Sequence, residues 1–337
     1  MSETALDVRD LRVAYRTARG PLWAVDGVDR QVHPGESLGL VGESGCGKSS
    51  LGRALMELMP PGGVVRGSAR IAGQEVVGAS GSALRHLRGE EVALIFQEPM
   101  SRLNPLMRVS DHFVEAIRAH RPKVAKEKAR SMGREALAQM GIPPTRVDNY
   151  PHEFSGGMRQ RIMIAMGIVL RPRVIIAEEP TTSLDVIVEA QILDILDRLR
   201  RDEQMGMILI THNLGIVAET CDRVLVMYAG KVVEQGTVEQ VFNTPKHPYT
   251  RGLMASTISL ETTELHSIDG YPPDLVSPPP GCRFAPRCPY RMDHCTDAVP
   301  EYAEPEPGQL AACYLYPGAG APVPDDAPQP GSMEPSR

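Results

Sequence analysis

The chain has 337 residues, enough for about two domains. Its net charge of −6 provides no general basic field for nucleic acid, and 42% hydrophobic with 23% charged residues is ordinary for a globular protein. No apolar run approaches the ~20 residues that span a bilayer, and the opening "MSETALDVRDLRV" has no secretory apolar region, so the expectation is a cytosolic chain that reaches a membrane only by docking on another protein.

Up to about residue 241, short β-like runs alternate with helical patterns, which predicts an α/β fold with a largely parallel sheet and no internal repeat. Residues 37–41 read as a strand, and Leu51, Leu55 and Leu58 then fall on one helical face. Between them runs the glycine-rich loop Gly42, Glu43, Ser44, Gly45, Cys46, Gly47, Lys48, Ser49, Ser50, with the GxxxxGKS spacing of a P-loop. Glycines let backbone N–H groups converge on phosphate oxygens, and the following helix adds its positive end. Lys48 is then the β/γ-phosphate cation and Ser49 a Mg²⁺ ligand, with Cys46 as small filler without a redox role.

Met158, Met163 and Met166 lie on a later helix as core residues, and Arg159 and Arg161 are expected on its solvated face. Residues 174–177 form an apolar strand that runs into Glu178, Glu179 and Pro180. Alone, this is best read as a strand ending at a solvated turn. A P-loop protein, however, needs a second strand ending in a Mg²⁺-side carboxylate, and hydrolysis needs a group that activates water. Glu178 fits the first role and Glu179 the second, their charge offset by the cation and Lys48. His212 ends another apolar strand.

From about residue 244 to 315 the chain is proline-rich and holds four of the six cysteines. Little apolar residue surrounds Cys282, Cys288, Cys295 and Cys313, so a core role is not expected, and a cytosolic setting disfavours disulfides. Four thiolates suit structural zinc or an iron–sulfur cluster. No short C-x-x-C pair favours zinc, while Cys288-Pro289 echoes ferredoxin-type sites and Arg283, Arg287 and Arg291 could offset a cluster's charge. A cluster, zinc and no metal all stay open on spacing. Residues 317–337 are expected to be disordered.

Further motifs fall in a fixed order. "FSGGMRQR" at residues 154–161, Gln97 in "LIFQEP", the triplet Ser183, Leu184 and Asp185, His212 in "ILITHNLG" and Tyr15 in "LRVAYRT" resemble the ATP-binding-cassette (ABC) ATPases over residues 6 to about 242. "YPHEFSGGMRQRIMIAM", "EEPTTSLDVIVEAQIL", "VMYAGKVVEQG" and "HPYTRGLMAS" narrow the resemblance to the oligopeptide/dipeptide permease ATPases, closest to their D-type subunit. The family commonly has aspartate at the positions of Glu178, Glu98 and Asn213.

The resemblance implies a P-loop cassette over 1–243, with a RecA-like core, an antiparallel β subdomain and a helical signature subdomain at about 98–169, then a Cys/Pro-rich extension over 244–316. It implies that Tyr15 stacks on adenine, with Trp23 or Val25 contributing, and that Gln97 is the Q-loop residue beside Mg²⁺ and the attacking water. Ser155, Gly156 and Gly157 would close over ATP held by a second, related ATPase, with Asp185 in the D-loop and His212 as the switch histidine. It points the cysteines toward [4Fe–4S]. Two transmembrane permease subunits, an external solute-binding protein and a place on the cytoplasmic face of the cell membrane follow from the same resemblance. Import of nickel or another small solute, a regulatory subunit with a weakened site and a soluble non-transport ATPase are the other readings.

Overall fold

The computed structural model describes residues 4–95, 103–181, 185–256 and 267–320. Two sheets organise it. An antiparallel sheet is built from β1 (Leu6–Thr17), β2 (Gly20–Val32), β4 (Val64–Ile71) and β5 (Gln74–Glu75), in the order β2-β1-β4-β5. The larger sheet contains β3 (Ser37–Val41), β6 (Val92–Ile95), β7 (Val174–Glu178), β8 (Gly206–Ile210), β9 (Arg223–Tyr228), β10 (Lys231–Thr237), β11 (Ala303–Glu306) and β12 (Gln309–Ala311). Its order is β11-β12-β10-β9-β3-β8-β7-β6, and β9, β3, β8, β7 and β6 run parallel.

Every residue of β3, β7 and β8 is buried, as expected for parallel strands covered on both faces. Alternation then sorts their side chains between two cores. Ile175 and Ala177 of β7, with Met207 and Leu209 of β8, face α3 (Val109–His120), α4 (Lys126–Gln139), α5 (Gly156–Ile168) and α6 (Val186–Asp202), packing with Phe113, Ile117, Leu137 and Ile162. Val174 and Ile176, with Ile208 and Ile210, face α1 (Lys48–Ala54) and the antiparallel sheet, packing with Leu51, Leu55, Leu11 and Val25. The same period carries Glu178 to the α1 face.

Met158, Met163 and Met166 pack against the helical core as expected. Arg159 and Arg161 do not lie on a solvated face. Both are half-buried, and Arg161 donates to the Met140 carbonyl and to Gln191 of α6. Arg161 thus serves as a tie from α5, while Arg159 buries an Nε without a hydrogen-bond partner among the described residues.

The proline-rich region continues the main sheet. β12 pairs with β10 through Glu234↔Ala311 and Gln235↔Leu310, and β11 pairs with β12. The thiols are also more enclosed than their sequence surroundings predict. Cys295 is buried, Cys282 and Cys313 pack with Ala285, Tyr314, Leu315 and Tyr316, and Cys288 packs in the neighbouring cluster of Tyr228, Tyr249 and Phe284. Order extends past the expected start of the tail at Pro317: Ala319 is buried, and Glu301 N–H donates to its carbonyl.

A buried polar knot fixes this region to the sheet. Glu234 of β10 is fully buried and accepts from Lys246 N, His247 N and Gln309 Nε2, each at 2.8 Å. His247 is the N-cap of α9 (Pro248–Ala255), its Nδ1 accepting from Tyr249 N at 3.0 Å. Complete burial holds its imidazole neutral and lowers its pKa to about 3. The unfolded chain takes up this proton near pH 6.5 while the native state refuses it, so stability is full above pH 6.5 and falls as pH drops toward 3. His247→Asn, which keeps a capping acceptor and cannot titrate, should lose about 2 kcal/mol less than the wild type between pH 7 and pH 5. Denaturant midpoints at the two pH values test this, and parallel losses would contradict it.

Candidate active site

Parallel strands deliver three chemical segments to one edge. β8 lies between β3 and β7, with Leu40↔Ile210 and Glu178↔Ile210 in register. The P-loop leaves β3, the glutamates end β7, and Thr211 and His212 follow β8, all at the carboxyl ends where open α/β sheets bind ligands.

Glycine is required in the loop by sterics. At Gly47, with φ +110°, a Cβ would lie 2.0 Å from the Ala24 carbonyl oxygen. At Gly42, with φ +145°, it would lie 2.1 Å from the Met227 carbonyl oxygen. The loop is therefore seated directly on the backbone of β2 and β9, while Ser44 and Gly45 are exposed above it. Lys48 folds back, its Nζ donating to Gly42 O at 2.6 Å and Glu43 O at 3.0 Å. Ser49 and Ser50 lie in the first turn of α1, whose leading N–H groups have no intrahelical partners. Tyr15 Oη donates to Ser50 Oγ at 2.9 Å, which holds the ring beside that turn. Cys46 is buried and its thiol is pushed up by desolvation, in keeping with filler.

Glu178 is buried at the end of β7 on the α1 face. Glu179 turns away from the strand with φ +45°, and its N–H donates to Ile210 O at 2.8 Å. Its carboxylate accepts from Thr211 Oγ1 at 3.2 Å and His212 N at 3.0 Å, and lies 2.7 Å from His212 Nδ1. The expected general base and switch histidine are thus a hydrogen-bonded pair. His212 is largely exposed, its side chain 74% accessible against 16% for Glu179, so the pair opens to solvent on the histidine side.

The signature residues occupy a different place. Ser155 caps α5, its Oγ accepting from Met158 N at 3.4 Å, and Ser155 and Gly156 are exposed. One link to the end of β7 escaped sequence reading: buried Gln160 of α5 donates from Nε2 to Pro180 O at 2.6 Å, directly after Glu179. A glutamine inside the signature run was the available signal. Asp185 is exposed and caps α6, accepting from Val188 N at 2.9 Å. Gln97, Glu98, Ser183 and Leu184 lie outside the described residues.

Cys282, Cys288, Cys295 and Cys313 are all free thiols and line one narrow cavity. Among the described residues, no group of three or more His, Cys, Asp or Glu is gathered to hold a metal ion. The cysteines therefore share a cavity without being drawn into a ready ligand set.

The loop geometry yields a direct expectation. Gly47→Ala should cost about 2–3 kcal/mol and weaken nucleotide affinity at least about tenfold, because the added Cβ must displace the β2 backbone. Titration with a fluorescent ATP analogue beside thermal unfolding measures both, and unchanged affinity would contradict the seating of the loop.

Comparison with known proteins agrees with this geometry. The ABC transporter family model matches residues 25–182, and the model for the C-terminal region of oligopeptide/dipeptide transporters matches residues 233–295. The chain is 44% identical over 319 residues to the dipeptide transport ATP-binding protein DppD of Bacillus subtilis, covering 93% of this chain and 95% of the relative. It is 45% identical over 313 residues to the oligopeptide transport ATP-binding protein OppD of Salmonella typhimurium, covering 92% and 93%. Among solved structures, cbiO1 of Clostridium perfringens, part of the ABC transporter complex cbiONQ, is similar with a TM-score of 0.61 at 28% identity, over 72% of this chain and 91% of that one. The cassette MJ0796 shares the fold, with a TM-score of 0.61 at 22% identity over 69% and 98%. No helix among the described residues is long and apolar enough to cross a membrane. With its P-loop, its paired strand-end glutamates and these relatives, the chain belongs to the ABC family of ATP-hydrolysing subunits, in the oligopeptide/dipeptide transport ATP-binding branch.

Proposed function

We propose that this chain is the ATP-hydrolysing subunit of a membrane importer for oligopeptides or dipeptides, converting ATP binding, dimer closure and hydrolysis into solute uptake. The names of the 44–45% identical relatives support the substrate class. The observation that carries the hydrolytic half is the Glu179–His212 pair at 2.7 Å. A weakened regulatory site would not need a base held by Thr211 Oγ1, the His212 backbone and the His212 ring together.

In this reading the loop residues 42–50 wrap the phosphates, and Lys48 exchanges its two carbonyl acceptors for β/γ-phosphate oxygens. Tyr15 stacks on adenine from its position beside Ser50. Ser49, Glu178 and Gln97 would hold Mg²⁺, which when bound neutralises phosphate charge. Glu178 has the right surroundings, a buried carboxylate on the α1 face that needs a counter-charge. Glu179 takes the proton of the attacking water, and His212 holds its carboxylate in place.

Ser155, Gly156 and Gly157 act on the ATP of the other subunit. The exposure of Ser155 and Gly156 at the head of α5 favours an intermolecular role. Asp185 would serve the same interface. The partner is a second related ABC ATPase, beneath two transmembrane permease subunits fed by an external solute-binding protein, at the cytoplasmic face of the cell membrane. We assign the cassette to 1–243, with its helical part at about 98–169, and the extension to 244–316.

The four cysteines are assigned to a [4Fe–4S] cluster, with zinc as the competing occupant. Cys295 Sγ accepts from Met292 N at 3.5 Å, whereas burial pushes the Cys282, Cys288 and Cys313 thiols up, so a bound metal would have to supply the charge that makes them thiolates. Holding a cluster would require the cavity to draw the sulfurs together, since they are not gathered as described. A bound cluster would serve as a structural staple.

Glu179→Gln should bind ATP like wild type and lose ~10²-fold or more in turnover, and near-normal turnover would remove the base assignment. Anaerobically purified protein should be brown with about four iron and four sulfide per chain. Colourless protein carrying zinc would replace the cluster, and protein with neither metal would remove both.

A further inference from the structure

The segment between Cys282 and Cys288 carries two arginines, one bonded to the backbone and carboxylate beside the seat of the P-loop and one to the loop itself. Arg283 donates to Ala229 O and to Asp26 Oδ2, at the β9–β10 turn where Gly230 N–H donates to Cys46 O of the P-loop at 2.9 Å. Arg287 reaches the loop itself. Its Nη1 donates to Glu43 Oε2 at 2.9 Å and its Nη2 to Glu43 Oε1 at 3.2 Å, a two-pronged pair. The remaining donors reach Tyr228 Oη at 3.2 Å, Ile268 O at 2.9 Å and Asp269 O at 2.8 Å. All five guanidinium N–H bonds are used, and the side chain is 5% exposed.

Glu43 is held at its backbone as well. Its N–H donates to Tyr249 Oη at 2.8 Å, and Tyr249 is itself buried against Tyr228 and Phe284. The carbonyl of Glu43 accepts from Lys48 Nζ at 3.0 Å and Cys46 N at 3.2 Å. The Lys48 tie is given up when that amine turns to phosphate. Without it, Glu43 keeps the Cys46 N–H inside the loop and two ties from the chain beyond residue 243, Tyr249 and Arg287.

We propose that Arg287, with Tyr249, is a positioning clamp for the P-loop, so that docking of the cysteine-bearing extension sets the geometry with which this chain binds nucleotide. Arg287 does not touch ATP in this scheme. It acts through Glu43, and an extension displaced from the sheet would slacken the loop. Lysine would supply one charge without the planar two-pronged fit. The inference rests on the ATP-site reading above.

The test uses the full chain with a fluorescent ATP analogue, ATPase kinetics and thermal unfolding. Arg287→Ala should raise the nucleotide concentration at half-saturation about tenfold with kcat changed less than about twofold, and Arg287→Lys should recover part of that loss. Tyr249→Phe keeps the packed ring and removes only the acceptor of Glu43 N–H, and should weaken affinity about threefold. If Arg287→Ala does not fold, Tyr249→Phe decides the matter alone. Folded Arg287→Ala with wild-type affinity, or unaltered affinity in Tyr249→Phe, would overturn the clamp and leave these groups a purely stabilising role. Wild-type protein that binds no nucleotide would overturn the ATP-site reading and the clamp together.

Discussion

The level ending of three adjacent parallel strands is the constraint on which the rest depends. Because β8 pairs with both β3 and β7 up to Ile210, loop, carboxylates and histidine emerge along one edge. None of the three segments needs a specific contact with the others to find its place. Hydrogen bonding of a fully buried sheet sets their spacing, and a slip of one residue in β7 would turn Glu178 from the α1 face to the helical core. Burial of every side chain in these strands makes that slip prohibitive.

The two like-charged glutamates are resolved by the same geometry. Glu178 continues the strand and points with Val174 and Ile176, whereas Glu179 adopts a left-handed backbone and turns to Thr211 and His212. Neighbours in sequence are thereby sent to different partners. Their backbone conformations differ accordingly, one carboxylate directed toward α1 and one toward the β8 exit. Gln160 adds a tie from helix α5 to Pro180, so movement of that helix bears on the residue beside Glu179.

Much of this was legible in the residues. The P-loop, the strand before Glu178, His212 and the signature run are local patterns, and local patterns survive in a single sequence. The antiparallel sheet and the helical layer followed from resemblance. What stayed hidden depends on distant pairing. β11 and β12 are short, and the first reads "AEPE", so nothing in their composition announces that they extend the main sheet. The enclosure of the cysteines was missed in part for the same reason: Tyr314, Leu315 and Tyr316 are remote in sequence from Cys282 and Cys295, although their place directly after Cys313 was a legible apolar signal. Arg287 could be read as a counter-charge between cysteines, but its bond to Glu43 crosses 244 residues and no spacing rule predicts it.

Nucleotide hydrolysis at this edge is proposed to drive peptide import. The most direct measurement is uptake of a labelled short peptide into proteoliposomes containing this chain with the proposed second ATPase, permeases and binding protein. The account predicts uptake with Mg²⁺-ATP and none with a non-hydrolysable analogue. Uptake that continues with the analogue, or ATP-driven uptake of a metal ion or sugar with none of peptide, would contradict it.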